Sequence, residues 1–212
     1  DIFPERKVII SHAVGNGLFC EFEGDSEATP SDVERIEKRM HEIVDAAIPF
    51  KKREIPLEEA ERLFRSTNRM DRYNAIKHRN KKLVTIYNCG GLDDYFYGYM
   101  APDTSYIKVF ALKYHKGGFV IMFPHRRAPD VLPEYVEQEK LFNVYLENKK
   151  WHRILEVENV GALNDAIKAG KAAELIRISE ALHEKKLASI ADMISKSETR
   201  KRIVLIAGPS SS

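Results

Sequence analysis

Hydrophobic and polar positions in the first part of the chain predict a β-hairpin followed by an amphipathic helix. The runs "KVII" (7–10) and "GLFCEFE" (17–23) carry the β-branched and aromatic residues of strands, and "AVGNG" between them is typical of a tight turn. A helix is expected to begin at Thr29, which can cap it, with Pro30 at its first position and Asp32 near its positive end. Its apolar residues recur at helical spacing: Val33, Ile36, Met40, Ile43 and Val44.

The middle of the chain predicts further strands and a second helix. The sequences "KKREI" and "KLVTIYN" are strand-like, and "LEEAERLFRS" between them is helical. Residues 106–123 predict a hairpin that turns at Gly117 and Gly118. Together these elements predict an α+β body of antiparallel sheet and helices over residues 1–124.

The last third of the chain has a different character. The Pro-rich sequence "PHRRAPDVLP" opens a connector, residues 125–200, that is predicted to be largely helical. Its apolar markers are Leu175, Ile178, Leu182, Leu187, Ile190 and Ile194. Residues 201–212 begin with the fully apolar run "RIVLIA", which predicts a new strand.

Composition and charge narrow the class of protein. The 212 residues are 43% hydrophobic and 31% charged, which suits one soluble globular domain with an appendage, or two small domains. The net charge of +2 is too small to indicate nucleic-acid binding by itself. Cys20 and Cys89 lack the spacing of a disulfide framework or a zinc site. Because the sequence contains no membrane-length apolar run and no signal peptide, we expect a cytoplasmic protein without a membrane partner.

The closing sequence "GPSSS" matches the opening of a phosphate-binding loop. Such a loop follows a buried strand, begins with glycine and passes through four variable positions to Gly-Lys-Ser/Thr. Gly208 matches the first glycine, and the variable positions correspond to Pro209, Ser210, Ser211 and Ser212. The phosphate-binding lysine and the Mg²⁺-binding hydroxyl are absent from this ATP site, so we assign no catalytic residue to the fragment. A surface tail of small residues is the alternative interpretation.

With the strand before it, "IVLIAGPSSS" resembles the start of the kinase domain in bacterial nucleoside kinases of the uridine kinase and phosphoribulokinase group. The resemblance implies that the chain is an accessory, regulatory amino-terminal fragment whose partner is its own carboxy-terminal kinase domain. The full protein would use ATP and Mg²⁺ to phosphorylate a nucleoside. The fragment alone would hold no cofactor.

About the first 125 residues resemble the amino-terminal editing region of threonyl-tRNA synthetase. Three segments carry this resemblance, residues 14–23, 29–64 and 84–112. Segment 29–64 is the most specific, because its capped helix, Pro-Phe exit, basic strand and Glu-Ala helix start agree over the whole length. The resemblance implies an editing-domain-like fold, with its first helix upstream of Asp1.

The editing residues of that family are replaced where this chain covers them. The synthetase uses a His-x-x-x-His pair and a Cys-x-x-x-His pair, whose lone pairs can serve a metal, a water or a tRNA hydroxyl. The resemblance places the Cys position at Phe96 and the second His position at Met100, while the first pair would precede Asp1. Phenylalanine has no lone pair, and a thioether is neutral and non-basic. The resemblance therefore implies a repurposed or silent cleft.

The sequence "DDYFYGYM" is a candidate ligand cleft, since it lies where the resembling fold binds its substrate. The cleft residues are Asp94, Tyr95, Tyr97 and Tyr99. Tyrosines can stack on a base or nucleoside, although aromatic residues in strands more often belong to a core. Basic runs at residues 77–82 and 125–127 can contact RNA phosphates, although such short runs are usually solvated. The resemblance implies, as the alternative function, an aminoacyl-tRNA deacylating (editing) or RNA-binding module.

A metal site is not predicted. Cys89, His12, His78 and His115 are the only set worth testing, and their spacing fits no ligand pattern. His183 also lacks the second histidine of a His-Glu-x-x-His motif.

Overall fold

A computed structural model describes residues 2–24, 26–196 and 203–206 and divides the chain into two compact units. The first unit, Asp1–Leu146, combines antiparallel sheets with helices, and the second, Glu147–Ser212, is helical in its described part. The α+β class predicted from the sequence is confirmed. Within the described residues, no helix has both the length and the apolar character needed to cross a membrane.

In its described residues, the first unit contains seven strands, and helices alternate with them along the chain. The strands are β1 (Val8–Val14), β2 (Gly17–Phe22), β3 (Lys51–Pro56), β4 (Leu83–Cys89), β5 (Leu92–Tyr95), β6 (Ala111–His115) and β7 (Gly118–Met122). The helices of the chain are α1 (Pro30–Asp45), α2 (Leu57–Ser66), α3 (Met70–Ile76), α4 (Glu139–Ile154), α5 (Val160–Lys168) and α6 (Ala172–Ser195). A short 3₁₀ helix covers Thr104–Tyr106.

Two hairpins form a four-stranded antiparallel sheet with the strand order β1-β2-β7-β6. Both predicted hairpins are confirmed. In the second hairpin His115 pairs with Gly118, so the turn consists of Lys116 and Gly117, one residue earlier than predicted. Both turn residues have positive φ, 43° and 81°, as a two-residue turn requires when it follows the twist of its strands.

Helix α1 covers one face of this sheet and begins where the sequence predicts. The Asp32 N–H donates to Thr29 Oγ1 at 3.2 Å, and the Thr29 N–H donates to Asp32 Oδ2 at 3.1 Å, which is a complete capping box. The apolar face of α1 packs into a cluster whose buried members are Cys20, Phe22, Ala28, Val33, Phe110, Leu112 and Phe119.

A second, three-stranded sheet has the order β3-β4-β5 and is covered on one face by α2 and α3. Its core consists of Ile55, Ala60, Phe64, Ile76, Val84 and Ile86. Helix α3 was not predicted from the sequence. It has only seven residues, and Arg69 at its N-cap makes no side-chain capping bond, so the usual start signal is missing.

The start of α4 belongs to the first unit, although the sequence places residues 125–200 in a separate connector. Phe142 is 1% exposed and packs with Val14, Phe19 and Met122 on the second face of the four-stranded sheet. The structure therefore divides the chain after Leu146 rather than after residue 124.

The second unit is helical, as predicted, through α5 and α6. The strand predicted after Arg202 is not confirmed, because residues 203–206 belong to no strand and Leu205 is 92% exposed. A strand requires a neighbour for its backbone hydrogen bonds, and the described residues supply none here. The phosphate-loop positions Gly208, Pro209, Ser210, Ser211 and Ser212 lie outside the described residues.

His115 is buried below α4 in an aromatic environment. Its side chain is 5% exposed, and its ring lies 4.6 Å from that of Phe142. Nδ1 shares a 3.0 Å hydrogen bond with the Tyr135 hydroxyl, whereas Nε2 has no hydrogen-bond partner among the described residues. Burial lowers the pKa of His115 below its ordinary value of 6.5, and this effect outweighs the opposing charge of Glu137.

We expect this histidine to make the fold acid-sensitive. Because its pKa is lower in the folded state than in the unfolded state, its contribution to stability is complete above about pH 6.5 and is lost as the pH falls below that value. Urea midpoints measured at pH 7.5 and pH 5 should differ less for His115→Phe than for the unchanged chain. His183→Gln, at an exposed position of α6, should leave the difference intact. An unchanged pH dependence in His115→Phe would contradict the assignment.

Candidate functional site

The candidate cleft residues lie in segment 93–100, which begins in β5 and continues beyond it. Strands β4 and β5 pair around a two-residue turn, with Cys89 opposite Leu92. The turn residues are Gly90 and Gly91, with φ of 57° and 91°, a conformation that other residues adopt at a cost. This turn sets which side chains of β5 face the core.

Tyr95 lies on the core face of the sheet. It pairs with Ile86 and packs against the cluster below α2, with its ring 6.2 Å from that of Phe64. Burial is the main reason that the pKa of Tyr95 is raised, and the neighbouring Tyr97 adds to the effect. Tyr95 therefore acts mainly as a core residue with its ring partly covered.

Asp94 is held by two arginines of the α3 region. Arg72 donates from Nε to Oδ1 at 2.9 Å and from a terminal nitrogen to Oδ2 at 3.1 Å, and Arg69 donates to Oδ2 at 2.7 Å. Burial lowers the pKa of Arg72, but the hydrogen bonds and charge of Asp94 outweigh it and raise the pKa above its ordinary value. The negative charge of the Asp94 carboxylate is thus balanced by the Arg69 and Arg72 guanidinium groups. A carboxylate engaged in this way is a poor candidate for a general base.

Tyr97 and Tyr99 extend from this anchored strand into solvent. Their side chains are 72% and 94% exposed. The guanidinium carbon of Arg79 lies 5.0 Å from the Tyr97 ring centroid, and Lys52 Nζ lies 5.7 Å from that of Tyr99. Each tyrosine therefore has a cation within the range of cation–π attraction and keeps most of its ring accessible. The alternative interpretation of these two residues as core is therefore wrong.

Phe96 and Met100, which the sequence resemblance places at a cysteine and a histidine position, carry no reactive group themselves. The Phe96 ring lies edge-on to Tyr87 at 6.3 Å and is 46% exposed, while Met100 is 36% exposed. Tyr87 donates its hydroxyl to the Gly98 carbonyl at 3.1 Å, which fixes the backbone between the two positions. A Cβ at Gly98 would lie only 3.1 Å from Phe96 Cε1, so this bend leaves little space for a side chain.

The far end of the segment is anchored by Thr104. This residue is 3% exposed, donates its hydroxyl to the Ile43 carbonyl at 2.6 Å and accepts the Ile48 N–H at 2.9 Å. Segment 93–100 is therefore held by an ion pair at its start and by a buried hydroxyl just after its end.

The residues considered as a metal set are not brought together. His12 lies in β1 and stacks on Tyr145, and His115 lies in β6, whereas Cys89 belongs to the other sheet. In the part of the chain that the structure describes, no group of three or more His, Cys, Asp or Glu residues is arranged to hold a metal ion. Burial raises the pKa of the Cys89 thiol, which makes it less reactive as a nucleophile.

Sequence reasoning missed Arg69 and Arg72, which hold the site. The only local signal was their spacing of three residues, which places both on one side of a helix. Their partner lies 22 to 25 residues further along the chain, and such a contact requires the fold to be known. Arg79, by contrast, falls within the basic run 77–82 that the sequence singled out.

Comparison with known proteins shows similarity to threonine–tRNA ligases. The enzyme of Nitratidesulfovibrio vulgaris (strain DP4) is 33% identical over 118 residues, which are 56% of this chain and 18% of the ligase. The enzyme of Geobacter sp. (strain M21) is 32% identical over 118 residues, 56% of this chain and 19% of the ligase. That of Pelobacter propionicus is 34% identical over 112 residues, 53% of this chain and 18% of the ligase. No model of a protein family matches.

The chain thus spans about a fifth of the length of these relatives. The similarity agrees with the predicted editing-like body. It overturns the description of the chain as part of a uridine or nucleoside kinase, an ATP-binding P-loop transferase, because the relatives are named threonine–tRNA ligases. That description rested on the last residues of the chain, and those residues lie outside the described structure.

Removing the charge of Asp94 should destabilise the first unit. In Asp94→Asn the carboxylate no longer neutralises Arg69 and Arg72, and charge-assisted hydrogen bonds of this kind contribute about 1–3 kcal/mol each. Because the Asp94 and Arg72 side chains are 34% and 38% exposed, solvent screens part of this attraction. We therefore expect the free energy of unfolding, measured by urea titration, to fall by about 1–2 kcal/mol in all. Asp130→Asn, at an exposed position, is the matched control. Equal stability of the two variants would show that the ion pair contributes nothing.

Proposed function

We propose that the chain is an RNA-binding module with an editing-like body, which binds unpaired nucleotides such as the 3′ end of a tRNA without hydrolysing an ester there. The similarity to threonine–tRNA ligases supports a tRNA-related role, although it covers only about a fifth of those enzymes. The observation that carries the proposal is the exposed pair Tyr97 and Tyr99, each next to a cation.

The chemistry of this pair suits single-stranded RNA. Every base has a π-face that can stack on a tyrosine ring, and nearby cations attract the phosphates between bases. Lys52 lies on β3 between Lys51 and Arg53, and all three side chains are exposed. The tyrosines and the basic strand thus offer stacking and charge attraction on one part of the first unit, as sequence-tolerant RNA binding requires.

The absence of hydrolysis in this proposal is supported by the side chains around the tyrosines. Phe96 and Met100 cannot accept a proton, activate water or serve a hard metal ion. Both carboxylates of the segment are paired. Asp93 forms an ion pair with Arg53 at 2.9 Å, and Asp94 forms ion pairs with Arg69 and Arg72. No base within segment 93–100 is therefore placed to activate a water molecule.

Substitution of either tyrosine should weaken RNA binding. Stacking of one base on an aromatic side chain contributes about 1–3 kcal/mol, so Tyr97→Ala or Tyr99→Ala should raise the Kd for a short single-stranded RNA by about 5- to 150-fold. Fluorescence anisotropy with a labelled oligonucleotide measures this change. Tyr106→Ala is the control, because Tyr106 is 64% exposed and has no cation over its ring among the described residues. Unchanged affinity in both test variants would contradict the proposal.

The chain should bind charged tRNA and leave its ester intact. A threonine tRNA that carries the wrong amino acid should lose that amino acid at the uncatalysed rate when the chain is present. An acid-gel or radiolabel assay measures this rate. Accelerated deacylation would instead support the editing function and contradict the assignment of a non-hydrolytic site. Binding that requires the single-stranded 3′ end, tested with a truncated tRNA, supports the proposal.

A further inference from the structure

A second surface feature, a depression of about 250 Å³, lies beside the turn between β1 and β2. Its floor is apolar and is formed by Ala13, Leu18 and Phe123. Ala13 and Leu18 are register partners and so point to the same side of the sheet, and Phe123 follows directly after β7, the neighbour of β2. Phe123 is 44% exposed, so a large apolar ring is left open at the floor.

The rim of the depression carries hydrogen-bond donors. The Arg127 backbone N–H donates to His125 Nδ1 at 3.2 Å, so the neutral ring carries its proton on Nε2 and presents a donor. Arg126 adds a guanidinium with five N–H groups. No carboxylate lines the depression, and neither arginine forms an ion pair with another described residue.

An apolar floor with a rim of donors selects for a particular class of ligand. A solvated loop would explain the polar side chains of His125 and Arg126. It would not explain why the Phe123 ring beside them is exposed. A flat apolar group fits the floor, and an anionic group fits the rim. A phosphate monoester has three terminal oxygens and carries more negative charge than a carboxylate, so it can accept an arginine fork and an imidazole N–H on separate oxygens.

We propose that this depression binds a small organic phosphate, with its apolar body over Ala13, Leu18 and Phe123 and its phosphate on Arg126 and His125. The inference goes beyond the RNA-binding function, because it uses none of the residues of segment 93–100. The ligand class is a phosphate ester of a flat ring system, such as a mononucleotide or an aryl phosphate.

Phenyl phosphate is a suitable probe, followed in ¹H–¹⁵N NMR spectra of the whole chain. Saturable shifts should cluster at residues 13–18 and 123–127. Inorganic phosphate lacks the ring and phenol lacks the phosphate, so each should bind at least about tenfold more weakly than phenyl phosphate. Adenosine monophosphate against adenosine repeats the comparison with a biological ring. If inorganic phosphate binds as tightly as phenyl phosphate, the apolar floor contributes nothing and the proposal is wrong.

Two variants separate the rim from the floor. Arg126→Ala should weaken phenyl phosphate binding about tenfold, whereas Arg62→Ala, at an exposed position of α2, should not. Ala13→Leu fills the floor without changing any charge and should also weaken binding. If binding persists in both Arg126→Ala and Ala13→Leu, the site is elsewhere. Phenyl phosphate binding should survive Tyr97→Ala, so failure here and failure of the RNA proposal are distinguishable.

Discussion

The ion pair between Asp94 and the two arginines Arg69 and Arg72 is the contact on which the open end of the second sheet depends. It joins the edge strand β5, which in the described part of the chain pairs only with β4, to the start of helix α3, which otherwise packs against α2. A strand of only four residues, hydrogen-bonded to one neighbour, can fray at its ends. The Asp94 carboxylate, held by two guanidinium groups, fixes β5 at one point. Thr104 fixes the chain after segment 93–100. The backbone that carries the exposed Tyr97 and Tyr99 rings is therefore held at both ends. A surface that is already ordered loses less entropy when a ligand binds.

The same segment explains how one fold can carry different chemistry. A hydrolytic site needs groups that hold a proton or a metal. In segment 93–100 a turn, an ion pair and a buried hydroxyl near its end fix the backbone, but they position no such group. Those framework features are present, while Phe96 and Met100 supply aromatic and thioether surface in place of reactive atoms. The backbone features of a fold and its reactive side chains can thus vary independently. Similarity of the fold does not imply the same chemistry.

Much of the fold could be predicted from the sequence because its signals are local. The capping box of Thr29 and Asp32, the Lys116–Gly117 turn region and the strand patterns each depend on a few neighbouring residues. Helix α3 lacked such a signal, and the role of Asp94 depended on arginines more than twenty residues away. The sequence left Tyr97 and Tyr99 between cleft and core, because aromatic composition indicates a strand but not which residues lie beyond its end. Residues 203–206 were predicted as a strand and are not one, because an apolar composition does not provide a neighbouring strand to pair with.

The exposed basic residues of β3 have a consequence for how these molecules behave towards one another. Strand β3 lies at an edge of its sheet, where unpaired backbone groups can recruit a strand from another molecule. Arg53 is paired with Asp93, but Lys51 and Lys52 are exposed and give that edge a positive charge, so two such edges repel each other when they approach. The strand that would attract a polyanion therefore also guards the sheet against self-association. Under the proposed RNA-binding role, Lys51 and Lys52 would thus serve both ligand attraction and resistance to self-association.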